Sequence, residues 1–60
     1  MEIRKYHVYY INEKETIHIF QVKAINIYNA TKEAYDVTFR KSMLQGKPLE
    51  DYNIIKIEEV

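Results

Sequence analysis

Cysteine is absent from the chain, which excludes a disulfide framework and the commonest structural zinc sites. There is one glycine and one proline, and phosphate-cradling loops, which need several glycines, are excluded with them. No stretch approaches the roughly 18 consecutive apolar residues of a membrane span. An excess of either charge is also lacking: nine Lys and Arg meet nine Asp and Glu, interspersed rather than in blocks. That balance argues against a partner held mainly by electrostatics, such as duplex DNA or an anionic membrane. The opening Met1-Glu2-Ile3-Arg4-Lys5-Tyr6-His7 carries charge where a secretory signal needs its apolar stretch, so a cytoplasmic protein is expected.

What is there is apolar and β-branched. Aliphatic and aromatic residues make up 47% of the 60 positions, too many for a disordered chain. The length allows one domain, spanning 1–60. Chains this short bury only about 60% of the surface their unfolded form exposes, so many lean on a partner for stability. Ile, Lys, Asn and Tyr fill 26 positions, against seven for Gly, Ala, Arg and Pro. The genetic code gives that bias in AT-rich DNA, and a phage or other mobile element fits it.

Residues 3–11, with Tyr6, Val8, Tyr9, Tyr10 and Ile11, are β-branched and aromatic types that favour a strand. After the polar Asn12-Glu13-Lys14, the same composition resumes from Glu15 to Ala24, predicting a hairpin. The turn has no Asn-Gly or Asp-Gly to fix a two-residue loop, so a slip by one residue, exchanging the faces of a strand, stays open. Asn26 is a good N-cap, Gly46 is placed for the left-handed residue after a helix, and Pro48 follows it, so a helix is predicted over 27–45. Arg40 and Lys41 fall in its last turns, where the helix dipole favours cations. Residues 52–58 read as a third strand. The expected fold is therefore α+β, in the order β-β-α-β: a three-stranded antiparallel sheet with one helix on one face, and strand three beside strand one.

At about 100° per residue, Ile27, Ala30, Ala34, Val37 and Leu44 share one helical arc, the expected sheet-facing side. Tyr28, Tyr35, Phe39 and Met43 form a second arc starting roughly 80° away. That arc either wraps around the sheet edge to finish the core or is a contact surface. On the sheet, Tyr6, Val8, Tyr10, Phe20, Val22, Ala24, Ile55 and Ile57 are expected toward the helix. The opposite face then carries Tyr9, Ile11, Ile17, Ile19, Tyr52 and Ile54, with Lys5, His7, Gln21, Lys23 and Lys56 toward one end. An open antiparallel face is normally polar, so these Ile and Tyr predict a protein partner or a second copy.

Catalytic and metal-binding patterns are weak. His7 and His18 would need carboxylates to complete a metal site, and no metal or cofactor is expected. Ser42, the only serine, lies at the helix end that disfavours an alkoxide. Glu50-Asp51 and Glu58-Glu59 sit where nothing apolar would raise a carboxyl pKa for acid catalysis. Asn29-Ala30-Thr31 matches the glycosylation sequon, but on a predicted helix.

Tyr9 flanked by Lys5 and His7 resembles the way sheet aromatics stack unpaired bases, so a single-stranded nucleic-acid or RNA binder is the alternative; an RNP1-type motif is absent. Phe20-Gln21-Val22-Lys23-Ala24-Ile25-Asn26, then Ala30 and Ala34, with Asn53-Ile54-Ile55-Lys56-Ile57-Glu58-Glu59, resemble about half of an archaeal ribosomal LX protein. That resemblance implies the same β-β-α-β order. It consists of common packing residues and lacks the basic loop of those rRNA binders, so no family is assigned on it. The leading expectation is a small non-enzymatic interaction module that docks on a protein, or on itself as a homodimer.

Overall fold

A computed structural model describes residues 2–60. Strand β1 (Arg4–Ile11) and strand β2 (Ile17–Ala24) form the hairpin, helix α1 (Ile27–Gln45) follows, a short 3-10 turn covers Leu49–Tyr52, and strand β3 (Asn53–Glu59) closes the chain. The sheet has the order β2-β1-β3 with both pairings antiparallel, as the α+β reading expected.

The hairpin register is the one that keeps alternate residues inside. Tyr6 pairs with Val22 and Val8 with Phe20, and Tyr6, Val8, Val22 and Ala24 are buried beneath the helix with Ala30 and Ala34. The register is set by the Asn12 side chain, which replaces the missing Asn-Gly turn. Its Oδ1 accepts the backbone N–H of Lys14 at 3.0 Å and of Thr16 at 2.9 Å, while Glu15 takes the left-handed conformation at φ 61°. An Asn side chain that satisfies its own turn is a local device of this kind.

Helix α1 begins where expected. The Asn26 side chain accepts from Asn29 N–H at 2.8 Å, and Gly46 ends the helix at φ 63°. Beyond it Lys47 N–H reaches Ser42 O at 3.1 Å. Arg40 does not serve the helix C-terminus: it bridges Asp36 at 2.8 Å and Glu33 at 3.7 Å, and no basic residue lies in the last turn.

Two expectations about faces are corrected. The helical stripe against the sheet is Ala30, Ala34, Thr38 and Ser42, each four residues on from the last; Ile27 is half exposed and Leu44 is 87% exposed. Small side chains win because only they let the helix backbone come close to a three-stranded sheet. The hydroxyls of Thr38 and Ser42 are not orphaned in that contact, since they donate to Tyr35 O and Lys47 O.

The second correction is in β3. Tyr9 pairs with Lys56, but Tyr10 pairs with Ile54, so Ile55 is an extra residue in a bulge. A bulge breaks strict alternation. Ile54, expected on the open face, packs against the core with Ile57, and Ile55, expected inside, is 49% exposed. Tyr52, also expected on the open face, lies in the 3-10 turn and is 8% exposed; its ring sits 5.5 Å from that of Tyr10, and its hydroxyl donates to Gln45 Oε1 at 2.7 Å.

Candidate functional site: an uncovered helix flank and an open sheet face

The helix is wider in apolar residues than the sheet can cover. The buried stripe of small residues takes one arc, and Tyr28, Tyr35, Phe39 and Met43 stand outside it, between 50% and 70% exposed. The Lys32 ammonium lies 5.8 Å from the Tyr28 ring centroid. The arc does not wrap onto the sheet to finish the core.

Beside it lies a groove of about 390 Å³. Tyr35 and Thr38 form its helical wall, and Leu49, Tyr52 and Ile54 are among the residues lining the opposite side. Tyr35 therefore stands on the β3 side of the helix. Leu49, half exposed, is a lining residue outside the predicted interaction surface; an apolar residue just past Pro48, between the helix and the third strand, is the signal the sequence offers. A second hollow, about 140 Å³, lies at the hairpin end and includes Tyr10, Asn12, Lys47 and Asp51 in its lining.

The open sheet face divides into two halves. On β2, Ile17 and Ile19 are 56% and 57% exposed, while Ile11 opposite Ile17 is half-buried. On the β3 side the face is polar and internally paired. Tyr9 donates its hydroxyl to Glu58 Oε1 at 2.6 Å, Lys56 Nζ lies 3.1 Å from Glu58 Oε2, and the same ammonium sits 5.5 Å from the Tyr9 ring centroid. His7 meets the Tyr9 ring edge-on at 6.5 Å. The hydrogen bond from Tyr9, with that from Lys56, lowers the Glu58 pKa, and the same bond raises that of Tyr9.

Glu58 is not among the residues expected at a site. Its period-two relation to Lys56 places both on one face, which was legible; the bond to Tyr9 was not. A carboxylate beside both the aromatic ring and the lysine repels phosphate, which weakens the case for base stacking on Tyr9.

Of the residues predicted as an interaction surface, Tyr28, Tyr35, Phe39 and Met43 share one exposed helix flank, Tyr9, Ile11, Ile17 and Ile19 share the open sheet face, and Tyr52 and Ile54 belong to the groove and core. Among the described residues no three His, Asp or Glu side chains gather as a metal site, and no helix is long and apolar enough to cross a membrane. Comparison with known protein families, with curated proteins and with solved structures finds no match.

Proposed function

We propose that this chain is a non-enzymatic protein-interaction module that docks through the apolar flank of its helix. The observation that carries the reading is the mismatch on α1: small residues face the sheet, while Tyr28, Tyr35, Phe39 and Met43 are left in solvent, Tyr35 on the wall of the groove. Large aromatics and Met at the centre of an apolar patch are the residue types that anchor protein interfaces. A chain of this size has little stability to spare, and covering that flank stabilises the folded state through linkage. The runner-up, a single-stranded nucleic-acid binder, has lost ground because Glu58 occupies the centre of the sheet cluster it would use.

The test is site-specific photo-crosslinking in the host cell, with a photoreactive phenylalanine at Phe39 and, as control, at Glu13 in the hairpin loop. The expected result is discrete protein adducts at Phe39 and none at Glu13. Nuclease-sensitive adducts would transfer the assignment to nucleic acid, and equal labelling at both positions would remove the docking role from the helix flank.

A further inference from the structure

We infer that the partner is a second copy of this chain, joined through the free edge of β3 in an antiparallel pair centred on Ile57, so that two sheets become one of six strands. The inference rests on the interaction-module reading above and names the occupant. Among the described residues, β3 has β1 on one side and no strand on the other. Val60 N–H donates to Lys5 O at 2.9 Å, and residues 56 to 59 follow the same register against β1. Backbone groups in such a ladder alternate sides, so Lys56 and Glu58 bond to β1, whereas Ile57 and Glu59 point their N–H and C=O outward. These are the unpaired groups an incoming strand needs.

Charge selects the register. A two-fold pair keeps side chains of one face together, so each register is named by the residue that meets its own copy. Centring on Lys56, Glu58 or Glu59 sets a charge against the same charge. Centring on Ile57 sets Ile57 against Ile57, and sets Lys56 of each chain against Glu58 of the other. Within one chain Lys56 and Glu58 already pair at 3.1 Å, so the seam closes as an alternating square of four charges on the open face. Like charges directly opposite destabilise a strand pair, and unlike charges favour it.

The other edge, β2, carries Lys23 as its one Lys, Arg, Asp or Glu and offers no such complementarity. The two-fold also leaves both helices on the same face of the joined sheet, with their Tyr35 sides turned toward each other across the seam. Tyr35, on the groove wall opposite Asn53 and Ile54, thus lies on the same side of the molecule as the free edge.

The experiment is sedimentation equilibrium on the full chain, with circular dichroism to confirm that each variant is folded. Wild type is expected to dimerise at micromolar concentration. Glu59→Pro removes an outward N–H and the exposed Arg4–Glu59 ion pair while keeping the backbone ladder to β1, and is expected to weaken the dimer by tenfold or more; Gln21→Pro, the equivalent backbone change on the β2 edge, is expected to leave it within about threefold. Lys56→Glu alone should also weaken it by about tenfold. The double swap Lys56→Glu with Glu58→Lys should restore self-association yet refuse to mix with wild type, because Lys then meets Lys and Glu meets Glu across the seam.

A monomer at every concentration overturns the inference. So does a dimer that survives Glu59→Pro, fails with Gln21→Pro, or mixes freely with the swapped chain. In any of these cases, Phe39 adducts to a different protein in the host would leave the interaction-module reading standing.

Discussion

Tyr9 and Glu58 show how one contact changes the meaning of two residues. The hydrogen bond from Tyr9, with that from Lys56, holds Glu58 below the usual carboxylate range. A group whose folded pKa is lowered stabilises the fold at pH above its unfolded value, and that contribution disappears as the pH falls through the lowered one. Tyr9 is raised, first by the same bond, so its share is present below the ordinary phenol value and is lost as the pH rises through the raised one. Tyr9→Phe is expected to move the Glu58 titration part of the way back up, as followed by the side-chain carboxyl signal in NMR. An unchanged Glu58 titration would mean that the bond is not formed in solution. Asn12 is the other residue with a disproportionate role, because its side chain satisfies two backbone N–H groups of the hairpin. Asn12→Ala should lower stability by about 1 kcal/mol in thermal melts.

At the scale of the element, the helix distinguishes the two candidate packing phases. Leu44 belonged to the sheet-facing arc by angle, where truncating it would cost about 2–5 kcal/mol. It is 87% exposed, so Leu44→Ala is expected to change stability by no more than about 0.5 kcal/mol. Ala34 is fully buried, and Ala34→Leu should destabilise by roughly 1–3 kcal/mol through overpacking, with Glu33→Leu close to neutral. Chemical denaturation of the three variants orders them, and a large loss at Leu44 with none at Ala34 would reinstate the other phase. The small-residue stripe explains why angle alone failed. A helix lying close against a narrow sheet selects by side-chain size before hydrophobicity, so Thr38 and Ser42 enter once their hydroxyls find carbonyl partners.

For the whole molecule, the question is which uncovered surface is used. The helix flank and the Ile17–Ile19 half of the open face are both apolar and both bare. Tyr35→Ser with Phe39→Ser is expected to keep the circular-dichroism spectrum and lose association by more than tenfold, since buried interface anchors are often worth about 2 kcal/mol or more each. Ile17→Ser with Ile19→Ser should leave association within about threefold, because both lie on β2, at the far edge of the sheet from the β3 seam. The reverse ranking by sedimentation would move the interface to the open face. Sixty residues folding around so thin a core also make stability concentration-dependent if the dimer forms. A melting temperature that rises with protein concentration is the expected companion result.

The sequence by itself determined the order of elements, the helix ends and the strand that lies in the middle. Asn26, Gly46 and Pro48 act through their own backbone geometry, and the β-branched runs of β1 and β2 favour strands wherever they sit. It also determined that the molecule has more apolar surface than one helix and three strands can hide, since that excess survives any choice of face. Tertiary structure decided which residues form it. The bulge at Ile55 turned Ile54 inward, and the 3-10 turn buried Tyr52. Helix-to-sheet distance replaced Ile27 and Leu44 with Thr38 and Ser42. Each outcome depends on contacts between segments far apart in the chain, and periodicity within one segment carries no information about how closely, or in which register, another will pack against it.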